Sequence, residues 1–339
     1  MKTPLFYSIC VMATVHGAGV SGQSVRDDVI ARGMLVCGSH PSRAGFGARD
    51  SSGNWQGFDV GFCRALAAAV LGDPAAVVFE PLGTQERFTA LREGEVDVLA
   101  RSTTWTFQRD VAKELTFVGT SYYDGQGFLV PRALGVSSAL ELDEASICVE
   151  ADTTSELNLA DYFRTNAMTY TAVYVETSRQ ATERYLAGDC DVYSTDIAAL
   201  ASGRAGFAEP GEHVILPEVI SKEPLGPAVR HGDDNWADIV RWTLFALIAA
   251  EELGVTSANV EELRSSSTNP EVSRLLGREG GFGEMLGLDN HWAARAIAAV
   301  GNYGELFAST IGDQTPIGLS RGLNAQWTQG GLLYAPPFR

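Results

Sequence analysis

Glu86-Arg87-Phe88-Thr89-Ala90-Leu91-Arg92-Glu93-Gly94-Glu95-Val96-Asp97-Val98 returns, altered, as Glu183-Arg184-Tyr185-Leu186-Ala187-Gly188-Asp189-Cys190-Asp191-Val192. In both copies an aromatic residue precedes a glycine, and the glycine precedes Asp-Val by three positions. A helix stopped by glycine and followed by a short apolar run is the end of a helix–strand unit. Its recurrence predicts two lobes of one design. Outward from the first copy, Met34–Gly38 and Ala76–Glu80 read as strands. Between them Asp59 opens a helix with Val60, Cys63, Leu66, Ala67 and Val70 on one face, stopped by Gly72-Asp73-Pro74. Thr84–Arg92 is a helix with Phe88 and Leu91 inward, and Val96–Ala100 a strand.

Around the second copy the same alternation holds. Ser146–Glu150 is a strand, and Thr154–Phe163 a helix facing inward through Leu157, Leu159, Ala160 and Phe163. Tyr170–Val175, Ser178–Ala187 and Cys190–Ser194 follow as strand, helix and strand. Such alternation means α/β architecture with parallel sheets. Phe117–Pro131 and Val214–Arg230 are extended stretches that can join the lobes, so that C-terminal sequence completes the first. From Asp233 the chain reads as helical: Trp236, Ile239, Val240, Thr243 and Leu247 share a face, and Gly254 can cap the end.

The chain has 339 residues and a net charge of −17, with 45% hydrophobic residues. That hydrophobicity excludes a disordered chain. The acidic balance argues against nucleic acid or an anionic membrane as the main partner. Lys2, an apolar run from Leu5 to Val15, and Val20-Ser21-Gly22 before Gln23 form a secretory signal over residues 1–22. Cys10 lies in the apolar run after Ile9, which is no lipidation site. No later apolar run nears the roughly 18 residues that span a membrane. The mature chain is expected to be exported and soluble.

Cys37, Cys63, Cys148 and Cys190 remain. They lack metal-site spacing, and an even number in an exported chain favours disulfides. Of three possible connectivities we expect Cys37–Cys63 and Cys148–Cys190, because each pair then lies inside one lobe.

No G-x-S-x-G, H-E-x-x-H, Walker or EF-hand pattern occurs, and Gly281-Phe282-Gly283 reads as a loop. Ligands of open α/β sheets bind beyond the carboxyl ends of strands. That rule selects Ser39–Phe46, Arg101–Arg109, Asp152–Glu156 and Ser194–Asp196. In the second, Ser102, Thr103 and Thr104 precede Arg109 by a spacing that puts Thr104 and Arg109 at one helix start. Hydroxyls and a guanidinium fork suit a carboxylate. Asp196 is an acid at the matching place of the other lobe, where it also reads as a helix cap.

With these residues the sequence resembles the family-3 solute-binding proteins of polar amino-acid ABC importers, nearest the general L-amino-acid and glutamate/glutamine/aspartate/asparagine subgroup. Gly53–Asp59, Glu86–Leu91, Tyr122–Phe128, Leu157–Phe163, Ser221–Pro227 and Gly301–Glu305 carry the resemblance. It implies a type II periplasmic binding protein, with α/β lobes at 25–124 plus 222–339 and at 128–220. Two hinge strands join them, and a helical C-terminal extension packs on the first lobe. By the same resemblance Arg109 holds the α-carboxylate of an amino acid, with Thr104, the Ser102 region and Thr154, and Asp196 takes the α-ammonium. Where many relatives offer Asp and Tyr, this chain has His40 and Arg43. Arg43 would favour acidic or amide side chains if it faces the cleft. The expected protein is a periplasmic monomer that delivers polar L-amino acids to an ABC permease, without metal or cofactor. The alternative is an enzyme on the same scaffold, such as a cyclohexadienyl dehydratase, with His40 or Asp152 as general acid. A sensor domain is a third reading.

Overall fold

The computed structural model describes residues 24–339; the signal-peptide reading lies outside them. Two five-stranded sheets form the framework. The first runs Val77–Pro81, Leu35–Ser39, Val98–Leu99, Ala228–Arg230, Leu115–Phe117; the second runs Thr171–Val175, Ser146–Glu150, Val192–Asp196, Gln126–Pro131, His213–Ile215. In each sheet the first three strands are parallel, and the last two are antiparallel neighbours donated by the connecting stretches.

The repeated motif does the same work in both halves. Gly94 and Gly188 end the helices Arg87–Glu93 and Ser178–Ala187, each in the left-handed conformation at φ 79°. Three residues on, an aspartate reaches to the neighbouring strand. Asp97 accepts the backbone N–H of Val36 at 2.7 Å, and Asp191 that of Ser146 at 2.9 Å. The carboxylate satisfies a donor at the strand's beginning that would otherwise be orphaned.

Helix Phe58–Leu71 lies on the first sheet and is buried along most of its length by its run of alanines and leucines. Gly57 enters it at φ 127°, where a Cβ would meet the Phe46 carbonyl at 2.3 Å. Helix Asp234–Glu252 packs beside it, capped by Asp233, with the Trp236 indole donating to the Asp97 carbonyl at 2.8 Å. Helices Val260–Ser266, Pro270–Leu275, Phe282–Leu286, Trp292–Val300 and Tyr303–Thr310 extend the same core. The C-terminal sequence thus packs on the first sheet as a helical extension.

Two hinge-like strands, Tyr122–Asp124 and Glu223–Leu225, pair antiparallel between the sheets, with Asp124 opposite Glu223. The C-terminal extension grips the first of them. Asn324 accepts the Tyr123 N–H at 2.7 Å and donates to its carbonyl at 3.0 Å, and the Tyr303 hydroxyl donates to the Ser121 carbonyl at 2.8 Å. Among the described residues no helix is long and apolar enough to cross a membrane.

Four local expectations are corrected. Helix Thr154–Thr165 buries Ser155, Leu159 and Phe163, whereas Leu157 is 63% exposed and Ala160 also faces out. The inward stripe follows 155, 159, 163, and Leu157 lies on the opposite side of that period. The helix expected from Thr84 begins at Arg87. Thr104 and Arg109 share no helix: Thr104 bridges to Leu225, and Arg109 sits in a five-residue π-turn, Gln108–Ala112. Phe282 opens a short helix after Gly281, not a loop.

Cys37–Cys63 and Cys148–Cys190 are both bonded, closing spans of 26 and 42 residues. Each should contribute about 3–4 kcal/mol in the chain-entropy picture. Cys148→Ser with Cys190→Ser should therefore lower the unfolding free energy by about that amount, read by urea titration. An unchanged midpoint would show that the bond does not constrain the unfolded chain.

Candidate functional site

The carboxyl ends of the parallel strands of both sheets meet at one cleft. Strand Leu35–Ser39 delivers His40, strand Val98–Leu99 leads to Arg101–Thr104, and Ser146–Glu150 and Val192–Asp196 end on Glu150 and Asp196. Contacts cross between the halves at several points. Thr84 donates its hydroxyl to Glu150, Gln85 reaches Asp152 at 3.3 Å, Ser202 donates to the Ala44 carbonyl at 2.8 Å, and Arg43 stands 4.0 Å from Asp196.

Arg109 is buried, and one N–H of its fork donates to the Thr104 carbonyl at 2.8 Å. Its guanidinium stands 5.4 Å from the centre of the Phe88 ring. Burial disfavours its charge, while Glu223 and Asp196 favour it. Asp196 is buried opposite. Burial and Glu223 push its carboxyl up to about 6, against the pull of Arg43 and Arg109. Asp196 stands at the start of helix Ile197–Ala205 but caps nothing. Asp124, from the hinge strand, instead accepts the Ala198 N–H, at 3.2 Å to one of its oxygens. Asp124 is itself pushed up by burial and by Asp196. Arg43, its side chain only 11% exposed, points toward Asp196.

The hydroxyls behave differently from expectation. Ser102 donates to Asp59 at 2.8 Å, from a left-handed backbone at φ 47°. Thr154 donates to Glu223 at 3.2 Å. Each hydroxyl has one hydrogen, so neither donates it elsewhere while these bonds last. Asp59 is buried, and desolvation raises its carboxyl to about 6 despite the Ser102 bond. His40 is buried too, and its Nδ1 accepts the Ser42 N–H at 3.1 Å. Burial and then Arg101, Arg43 and Arg87 hold its pKa well below the ordinary value, so the ring is neutral near pH 7. Asp152 is exposed.

Sequence reasoning gave no role to several charged groups here. Arg87 and Arg101 are buried beside Arg43 and Arg109. Arg101 donates to the Leu82 carbonyl at 2.7 Å and to the Thr84 hydroxyl at 3.2 Å; burial and Arg43 lower it to about 9, so it stays charged at neutral pH. Arg87 lies 4.6 Å from the Phe88 ring, and its Nε meets no partner among the described residues. Glu223 is buried on the hinge strand and accepts from Thr154, from Asn158 at 2.7 Å and from Ser221 at 2.8 Å. Gln126, the register partner of Asp196, bonds the Ser155 carbonyl and the Ser194 hydroxyl, each at 2.9 Å. Arg101 stands directly before Ser102 at a strand end, so the rule that selected Ser102 selects it equally.

The site is therefore polarised. Arg87 and Arg101 lie among guanidiniums, Glu223 and Asp196 stand by Arg109, and Arg43 links the two groups at 4.0 Å from Asp196. Such a site fits a molecule with a cation and a carboxylate close together and a further anionic or polar group beyond them.

The family description "Bacterial extracellular solute-binding proteins, family 3" matches residues 35–258. Over its full length the chain is 58% identical to the glutamate/glutamine/aspartate/asparagine-binding protein BztA of Rhodobacter capsulatus, covering 99% of it. It is 54% identical to the general L-amino acid-binding periplasmic protein AapJ of Rhizobium johnstonii, with 100% of both chains covered. A solved periplasmic binding protein from Brucella ovis, with glutathione bound, superposes at a TM-score of 0.92 with 52% identity, covering 94% of this chain and 100% of that one.

Crowded guanidiniums should cost the ligand-free protein stability. Arg87→Met removes one of them and keeps an unbranched stem against Phe88. Replacing buried charge by apolar volume is often stabilising by about 1–4 kcal/mol. The thermal midpoint of the ligand-free variant should rise above wild type. A fall would mean that Glu150 and the Phe88 ring already compensate the charge.

Proposed function

The chain belongs to family 3 of the bacterial extracellular solute-binding proteins, and from that premise we propose that its cleft captures acidic and amide L-amino acids in preference to other polar ones. It works in the periplasm as the amino-acid-binding component of an ABC importer. Its parts are a first lobe of residues 25–124 with 222–339 and a second of 128–220, closing about the paired hinge strands. The protein acts as a monomer and hands its ligand to the importer's permease.

One observation carries the reading. Arg109 and Asp196 come from opposite lobes, are both buried, and each electrostatically favours the other's charged form. A zwitterion placed between them gives its carboxylate to Arg109 and its ammonium to Asp196. The side chain then points toward Arg43, Arg87 and Arg101, where a carboxylate or amide oxygen relieves the mutual repulsion of three guanidiniums. Thr104 frames the carboxylate pocket through the carbonyl that holds Arg109. Ser102 and Thr154 act through their backbones and through Asp59 and Glu223. Closure excludes water, and hydrogen bonds to charged groups contribute about 1.5–3 kcal/mol each.

The named relatives are binding proteins, and we read no catalytic step here. A general acid must be protonated when it acts. His40 is neutral and Asp152 is exposed, so neither is suited to that role.

Arg109→Ala should weaken every amino acid by a similar factor, roughly 30-fold to several-thousand-fold, because all share the α-carboxylate. Arg43→Ala should instead reorder the ligands. Calorimetry separates the two, and Arg109→Ala binding within about threefold of wild type would refute the carboxylate assignment. Acidity gives a second test. The ligand ammonium favours ionised Asp196, whose carboxyl otherwise holds its proton up to about pH 6. Affinity for L-glutamine should be full above that value and fall by up to about tenfold per pH unit below it. Binding should release protons in that window, and Asp196→Asn should flatten the slope. A profile equally steep in Asp196→Asn would move the titration to another carboxyl.

A further inference from the structure

The side-chain end of the cleft does not finish in a wall. Beyond Arg101 and Arg43 the seam between the sheets opens into two adjoining hollows of about 340 and 300 Å³, which share Ser42, Ser178 and Arg179 on their linings. The first reaches inward to His40 and Arg101, the second to Arg43 and Tyr193. Each starts at a guanidinium of the cleft and ends at Arg179, on the first turn of helix Ser178–Ala187.

The seam carries three guanidiniums, Arg101, Arg43 and Arg179, against two carboxylates, Glu150 and Glu183. Glu150 opposes Arg101 on the lining of the first hollow and is occupied by the Thr84 hydroxyl. Arg179 faces Glu183 at 3.9 Å, with side chains 78% and 64% exposed. An exposed pair of that kind contributes little and exchanges readily. Arg179 is therefore ready to meet a carboxylate arriving through the seam.

A ligand prolonged by one residue needs about 3.3–3.6 Å more length. A closed side-chain pocket would reject it, whereas this seam offers it a path with a cation at the outer end. We propose that the seam from Arg101 and Arg43 to Arg179 extends the cargo site and admits amino acids whose side chain is prolonged by a further residue ending in a carboxylate, γ-glutamyl dipeptides being the simplest. The inference rests on the amino-acid capture described above. The α-ammonium and α-carboxylate keep Asp196 and Arg109, the γ-carbonyl takes the place of a glutamate carboxylate near Arg43 and Arg101, and the terminal carboxylate reaches Arg179.

The test is calorimetry on the whole mature protein with L-glutamate and γ-L-glutamylglycine. The dipeptide should bind within about tenfold of glutamate, a difference of about 1.4 kcal/mol or less. Arg179→Glu should weaken the dipeptide by about tenfold or more and leave glutamate within about threefold. Ser42→Trp, which plugs the seam from its exposed edge, should give the same selective loss and guards against a helix disturbed by Arg179→Glu. Glutamate binding without dipeptide binding would overturn the extension and leave amino-acid capture standing. Equal losses for both ligands in both variants would overturn it as well. Binding of neither ligand to the wild type would remove the underlying reading and the extension with it.

Discussion

Each half of the molecule hangs on one carboxylate that takes a backbone N–H from the strand beside it. Asp97 holds Val36 in this way and Asp191 holds Ser146. These bonds sit at the beginnings of the strands, and their effect is felt at the far ends. With the register pinned, the strand ends deliver His40, Arg101, Glu150 and Asp196 to a single place. A slip of one residue would turn each of these side chains to the opposite face of its sheet. The charged cleft is thus a consequence of two hydrogen bonds on the other edge of the sheets.

Much of this framework was legible in the chain because it is set by local rules. Glycine stops, apolar strands and a twofold motif are visible within about a dozen residues, and the cysteine pairing follows once the lobes are drawn. The misses share another cause. Leu157 is apolar and sits in a strongly helical segment, yet it faces outward, because the buried stripe is decided by the sheet beneath. Arg87 looked like an ordinary helix residue. Its burial depends on Phe88 and on the neighbouring guanidiniums, none of which a single-segment pattern can place. The hydroxyls of Ser102 and Thr154 bond Asp59 and Glu223, residues 43 and 69 positions away, which no local pattern can place.

The cleft shows why such sites oppose the stability of their own fold. Arg87, Arg101, Arg109, Asp59 and Asp196 leave water here, and burial penalises the charged form of each. A fold selected for stability alone would fill this space with aliphatic side chains. The strain is local, however. Beyond Asp59 at its start, helix Phe58–Leu71 buries apolar side chains and packs into an aromatic and alanine-rich core with the C-terminal helices. Function and stability are divided between the two edges of the same sheets.

Asn324 engages both the N–H and the carbonyl of Tyr123. Any torsional change at Tyr123 would break that pair, so the residue is effectively riveted to the body that carries the C-terminal helices. Next along the strand, after Asp124, stands Gly125, where a Cβ would collide with Val219 at 2.2 Å. Any opening must therefore turn elsewhere than at Tyr123, in the middle of the paired strands. The long tail acts as a doorpost, deciding where the door can turn without touching what passes through it.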